Sequence, residues 1–134
     1  MSGYSGTPLI KKLGIKEGFR IRTIQAPAHY WDLLGVLPPK ISIMNETKEL
    51  VDFIHVFIKS TAELESQLPV LKDQIEKNGM IWVSWYKKSA KIPTDVTEDV
   101  IRDTSLALGL VDVKVCAVDE QWSGLKLVWR KENR

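Results

Sequence analysis

The chain has 134 residues, of which 44% are hydrophobic and 27% are charged. This length and composition are those of one folded domain, and they exclude wholesale disorder. The charged residues leave a net charge of +2 without a long run of one sign, so no nucleic-acid binding is predicted. We therefore expect a single domain over residues 1–134.

The single cysteine, Cys116, excludes an intrachain disulfide and a cysteine-based metal cluster, and it fits a reducing compartment. It lies between apolar residues of a predicted strand, which favours a buried core thiol over a reactive one. The sequence shows no signal-peptide pattern, and no apolar run approaches the roughly 20 residues of a membrane span. We expect a cytoplasmic protein with no membrane contact.

The first third of the chain is predicted to contain an irregular arm followed by short elements. Residues 1–7 are small and polar, and they are either a frayed end or an arm that docks on the domain. Thr7 and Pro8 then begin a short helix that Gly14 ends. The next elements are a strand over residues 19–25, a helix over residues 28–34 and a short strand over residues 41–44.

Residues 51–58 form a nearly continuous apolar run, which is typical of a parallel strand covered on both faces. His55 lies inside this run. A lone histidine on a buried strand is more often a hydrogen-bonded core residue than a ligand or a base, and we predict the core role.

The second half of the chain alternates helices and strands. Ser60 and Glu63 have capping-box spacing, so a helix begins there, with a kink or a break expected at Pro69. Its apolar stripe reaches Ile75, and Gly79 ends it. The central strand over residues 80–86 and a basic loop over residues 87–93 follow. A helix is then predicted over residues 96–108, capped by Asp95 and Glu98, with Ala107 among its inward residues. The last two predicted elements are strands over residues 113–118 and 125–130.

This order of elements predicts the fold class. It is α/β, a single-domain Rossmann-like open sheet, mostly parallel, with an antiparallel C-terminal hairpin. Residues 80–86 lie in the middle of that sheet. A homo-oligomer stays an open alternative, because an exposed sheet edge can pair with a second copy.

The carboxyl ends of parallel strands are where such sheets bind ligands. Lys87 and Lys88 follow the central strand there, beside two predicted helix N-termini, and they either hold an anionic group or form a solvated loop. Asp119 and Trp122 would line a pocket with Lys87, although Trp122 also suits packing under the hairpin. Tyr4 completes the candidate ligand-binding set, because the N-terminal arm can fold over the same edge as a lid.

The plan of elements resembles the C-terminal two-thirds of the Rossmann-like methyltransferase fold. In that fold the first strand leads into a glycine-rich loop whose backbone approaches the cofactor. Here the loop over residues 25–30 has no glycine, and the second strand does not end in the acidic residue that would hold a ribose, unless Glu46 takes that role. This departure from the family's pattern weighs against S-adenosylmethionine (SAM) or a dinucleotide bound in the usual way, and no cofactor is predicted.

Four long strings match a second group of proteins. They are Gly3-Tyr4-Ser5-Gly6-Thr7-Pro8-Leu9 with Lys11-Lys12-Leu13-Gly14, Trp82-Val83-Ser84-Trp85 with Lys87-Lys88, Thr94-Asp95-Val96-Thr97-Glu98-Asp99-Val100-Ile101-Arg102, and the run from Gly109 to Asp119 with Trp122-Ser123-Gly124-Leu125. Through them the chain resembles, over nearly its whole length, a family of short bacterial proteins of unassigned function. That resemblance implies almost nothing about function.

The sequence contains no nucleophile elbow, phosphate loop, metal-ligand spacing or evident acid and base pair. The main interpretation is therefore a non-catalytic Rossmann-like module, not an enzyme, that binds a small anionic ligand or a protein partner. The alternative is a degenerate methyltransferase-like enzyme that acts on a small anionic substrate through Lys87, Lys88, Asp119 and Trp122.

Overall fold

The computed structural model describes residues 7–45 and 48–134, which form a six-stranded sheet with helices on both faces. Its elements in chain order are α1 (Leu9–Leu13), β1 (Arg20–Ile24), α2 (Tyr30–Leu34), β2 (Ser42–Ile43), β3 (Val51–Phe57), α3 (Thr61–Leu71), β4 (Ile75–Tyr86), α4 (Glu98–Ala107), β5 (Leu110–Ala117) and β6 (Trp122–Trp129). None of the helices in these two ranges is long and apolar enough to cross a membrane.

The strands lie side by side in the order β2-β1-β3-β4-β6-β5. The four strands β2, β1, β3 and β4 pair in parallel, and β6 pairs antiparallel with both β4 and β5. This arrangement confirms the predicted fold class, including the C-terminal hairpin. It also places the long strand β4 between the parallel part and the hairpin.

Two apolar cores lie on opposite faces of the sheet. On β4, Ile81 and Val83 face the core covered by α3 and α4, while Trp82 faces the core covered by α1 and α2. The same alternation runs along β3, where Ile54 and Phe53 enter opposite cores. Both faces of these strands are dry, which explains why their sequences are nearly continuous in apolar residues.

The boundary between α3 and β4 differs from the sequence prediction. The α-helix ends at Leu71, a turn of 3₁₀-helix follows, and Ile75 already pairs in the sheet. Pro69 does not split the helix, because it lies in the last turn, where few backbone bonds remain to be lost. Gly79 therefore lies inside a strand and does not end a helix.

Gly79 is required by a close backbone approach. A Cβ atom there would lie 3.0 Å from the carbonyl oxygen of Glu76 and 3.1 Å from that of Asp52. The register between β3 and β4 shifts at this point, between Val51 and Phe53. An irregular strand start, rather than a helix terminus, is thus the reason for the glycine.

The start of α3 is capped as the sequence predicts. The Ser60 hydroxyl accepts a hydrogen bond from the Glu63 backbone N–H at 3.2 Å. A second acceptor comes from a distant part of the chain, because the Asp95 carboxylate accepts from the Thr61 N–H at 2.8 Å. That bond is the main reason why the pKa of Asp95 lies below its usual value.

The predicted cap of α4 is wrong, because Asp95 serves α3. The Thr97 hydroxyl caps α4 instead by accepting from the Val100 N–H at 3.2 Å, so the helix begins at Glu98 rather than at residue 96. Ala107, expected to face inward, is exposed. Ile101, Val100 and Leu108 do pack on the core, as expected.

Candidate functional site at the carboxyl edge of the sheet

The parallel strands β1, β3 and β4 end at one edge of the sheet. β6 runs the other way and begins there, with Trp122 paired to Tyr86. The structure therefore brings the segments after β1, β3 and β4 and the β5–β6 turn to this edge, where Lys87, Lys88 and Asp119 lie. Tyr4 lies outside the described residues, together with the rest of the proposed lid.

Asp119 is fixed by the turn that contains it. Its carboxylate accepts hydrogen bonds from the backbone N–H groups of Gln121 and Trp122, at 2.8 and 2.9 Å. The Gln121 carbonyl in turn accepts from the Lys87 N–H at 2.8 Å. The hairpin turn and the end of β4 are thus tied together, and the Asp119 side chain is only 14% exposed.

His29 is a site residue that the sequence analysis missed. It lies between β1 and α2, and its Nε2 atom is 3.0 Å from a carboxylate oxygen of Asp119. The Asp119 carboxylate pairs with Nε2, so Nδ1 is the ring nitrogen left for another partner, on a side chain that is 53% exposed. This is the arrangement of a histidine base held by a carboxylate.

A topological signal for His29 was available. The residue follows the first parallel strand, so the rule that places Lys87 at the carboxyl edge also places His29 there. Its partner Asp119 is 90 positions away in sequence, however, and no local spacing links the two.

Trp122 packs beneath the hairpin, which is one of its two predicted roles. Its ring is 5% exposed, stacks on Tyr86 with centroids 4.1 Å apart and meets Phe57 edge-on at 5.0 Å. Tyr86 is the aromatic ring that lines the adjoining cleft. The flat wall expected from Trp122 is therefore supplied by Tyr86.

A cleft with a volume of about 690 Å³ adjoins the end of β4. Lys87, Lys88, Tyr86 and the first residues of α4 line it. Two of those α4 residues, Glu98 and Asp99, are carboxylates that pair with Arg102. Arg102 also pairs with Asp112, so its single charge offsets the carboxylates only in part, and the α4 wall of the cleft stays acidic opposite the two lysines.

Tyr30, the residue after His29, begins a buried chain of hydrogen bonds. The Tyr30 hydroxyl is 2.8 Å from His55 Nδ1, and His55 Nε2 is 2.7 Å from the Ser84 hydroxyl. Burial lowers the pKa of His55 to about 3, so the ring is neutral, and burial raises the pKa of Tyr30. This confirms the prediction that His55 is a satisfied core residue, and it anchors α2 at its first residue.

Cys116 is less buried than expected. It lies on the edge strand β5, where one side of the strand has no neighbour, so its thiol is only partly covered. Burial raises its pKa despite the opposing charges of Lys114, Lys12 and Lys87. A thiol protonated in this way is a poor nucleophile. In residues 7–45 and 48–134, no three His, Cys, Asp or Glu side chains group as metal ligands.

Comparison with solved structures gives three informative similarities. Magnesium protoporphyrin IX methyltransferase from Synechocystis PCC 6803 with bound SAM has a TM-score of 0.61 at 10% identity, over 91% of this chain and 76% of that one. A SAM-dependent methyltransferase from Aquifex aeolicus has a TM-score of 0.59 at 13% identity, over 89% of this chain and 86% of that one. The ribosomal protein L11 methylase from Lactobacillus delbrueckii subsp. bulgaricus has a TM-score of 0.56 at 12% identity, over 90% of this chain and 74% of that one. The fold is that of Rossmann-like methyltransferases.

These similarities correct two expectations. The sequence led us to expect a non-catalytic module and not an enzyme, and the comparison contradicts both expectations, because the three similar structures named above are methyltransferases. The methyltransferase-like alternative is the better interpretation. No protein-family model matches the sequence, and the search of curated proteins gives no match.

The loop after β1 does not fit SAM in the way that a glycine-rich loop would. Gln25 has a left-handed backbone with φ of 58°, and its side-chain amide donates to Glu63 at 2.8 Å. Ala26 packs into the core under α2. Side chains thus occupy the loop where glycines would leave room, and Glu46, the candidate ribose ligand, lies outside the described residues.

Proposed function

We propose that the chain is a degenerate methyltransferase-like enzyme that acts on a small anionic substrate at the carboxyl edge of its sheet. The observation that carries the proposal is the His29–Asp119 pair, held by the same hairpin turn that hydrogen-bonds to Lys87. A base, its orienting carboxylate and cationic side chains share one edge of a fold that methyltransferases use. The resemblance to short bacterial proteins is compatible with this proposal.

The cationic residues would bind the substrate. Lys87 and Lys88 lie at the mouth of the cleft, and α4 begins on its wall with Thr97 as cap. An anionic group there is attracted by the two ammonium groups and by the positive end of the helix. Tyr86 gives the substrate an apolar surface to lie against.

His29 would act as general base. Its Nδ1 lone pair accepts a proton from a substrate hydroxyl or acidic C–H group, and the Asp119 carboxylate stabilises the imidazolium that forms. Positioned acid–base catalysis of this kind contributes typically 100- to 10,000-fold to a rate, which is about 3–5 kcal/mol. The proposal uses no step through SAM, because the loop after β1 does not fit it.

The test is a search for turnover followed by variants. The protein is incubated with small carboxylates and phosphorylated metabolites, with and without SAM, and products are detected by mass spectrometry. We expect His29→Gln to lower kcat at least 100-fold with little change in KM, and Lys87→Ala with Lys88→Ala to raise KM.

The control is Lys131→Ala. Lys131 is exposed in the C-terminal segment, does not line the cleft and is not part of the His29–Asp119 pair. Turnover that is unaffected by His29→Gln would contradict the general-base role. Methyl transfer from SAM would show that the side-chain-filled loop accepts the cofactor after all.

A further inference from the structure

A second cluster of lysines lies away from the carboxyl edge. Lys126 of β6 and Lys114 of β5 are directly paired across the hairpin, on the face covered by α1. Lys16 lies in the loop after α1 and, with Lys126, lines a cavity of about 300 Å³. The wall of this cavity also includes Phe19, Met80 and Asn78, so it combines cationic, apolar and amide groups.

Lys126 lies in this cluster without a counterion. No hydrogen bond or ion pair reaches its ammonium group from the described residues. Burial lowers its pKa, and the like charges of Lys114 and Lys16 lower it further. Lys114 finds partial compensation, because its Nζ donates to the Lys12 carbonyl at the C-terminal end of α1, at 2.9 Å. A partly buried cation among other cations is costly to keep unless something binds there.

The acidic residue on the cavity wall is already engaged. Asp52 accepts from the backbone N–H of Arg20 at 2.8 Å and from its Nε at 3.3 Å. The same guanidinium reaches Glu76 at 3.4 Å. Asp52 and Glu76 therefore share Arg20, and neither carboxylate pairs with Lys16 or Lys126 among the described residues.

We propose that this cavity binds the phosphate group of a small phosphorylated molecule. Lys16 and Lys126 line one cavity, and Lys114 is paired to Lys126 beside it, so the positive charge there matches a dianion better than a single carboxylate. The volume exceeds that of one phosphate and lies at the lower limit of ligand pockets, so a small organic group fits beside Phe19 and Met80. The site is independent of the proposed chemistry at Lys87 and His29.

The test uses Met80 as a local reporter. Methionine methyl groups labelled with ¹³C give one NMR signal each, and the chain has three methionines. Inorganic phosphate and glycerol 3-phosphate are titrated separately at constant ionic strength, with chloride as the compensating anion. We expect a saturable shift of the Met80 signal, while the Met44 signal stays in place. Tighter binding of glycerol 3-phosphate would assign the ligand to phosphomonoesters, and equal binding would assign it to free phosphate.

Variants decide whether the lysines are responsible. Lys126→Met keeps the length of the side chain and removes its charge, and we expect binding to weaken at least tenfold, as for loss of one charge-assisted contact. Lys16→Met, at an exposed position, gives the same readout without a change in the core. Lys131→Met is the charge-matched control and should bind as the parent protein does.

The outcome separates this site from the carboxyl edge. Lys87→Ala with Lys88→Ala should leave the Met80 shift unchanged, whatever it does to turnover. A Met80 signal that does not move, that moves equally with chloride, or that still moves in both Lys126→Met and Lys16→Met would overturn the proposal.

Discussion

His55 shows how a buried residue sets the acid stability of the fold. Its pKa is 6.5 in an unfolded chain and about 3 in the folded one. The unfolded state therefore binds a proton that the folded state rejects as the pH falls from 6.5 to 3. The stability that the neutral ring contributes is present above pH 6.5 and is lost through this window, by up to about 1.4 kcal/mol per pH unit.

This predicts a specific change in His55→Gln. The amide can still bond to Tyr30 and Ser84, but it does not titrate. In urea unfolding at pH 7, 6 and 5, the parent protein should lose stability more steeply than the variant. Equal slopes for the parent and His55→Gln would refute the buried, neutral ring.

At the scale of elements, the irregular start of β4 depends on Gly79. Gly79→Ala places a methyl group against two backbone carbonyls that cannot move independently. We expect a loss of about 1–3 kcal/mol in the free energy of unfolding, the usual cost of overpacking. The neighbouring Asn78→Ala, at an exposed position, should change it by less than about 0.5 kcal/mol. A neutral Gly79→Ala would show that the strand can start elsewhere.

Elements with strong local signals were predictable from sequence, and those set by distant contacts were not. The continuous apolar run of β3 and the Ser60 cap of α3 are encoded within a few residues, and both are confirmed. The start of α4 was missed because Asp95, which looks like its cap, bonds instead to Thr61, 34 positions earlier. Gly79 was misread for the same reason, since its close neighbour Asp52 lies on another strand.

In the candidate site, too, some features follow from the sequence and others do not. Lys87 and Asp119 were found because topology places strand ends on one edge, and topology follows from the order of elements. The pairing of Asp119 with His29, and the burial of Trp122 under Tyr86, depend on side-chain packing that no spacing in the sequence reports.

At the scale of the whole molecule, the central claim is that the carboxyl edge holds a small anion. The most direct measurement is thermal unfolding against SAM, nucleotides, sugar phosphates and carboxylates, comparing the parent with Lys87→Ala plus Lys88→Ala. A ligand at 100 times its Kd adds about 2.7 kcal/mol, which for this chain length is a rise in Tm of roughly ten degrees. Lys11→Ala plus Lys131→Ala is a control with the same change in charge.

We expect at least one small anion to raise the Tm of the parent and of the control variant, and Lys87→Ala plus Lys88→Ala to abolish most of the rise. A ligand that stabilises all three proteins equally, or a panel in which no anion stabilises the parent, would contradict it.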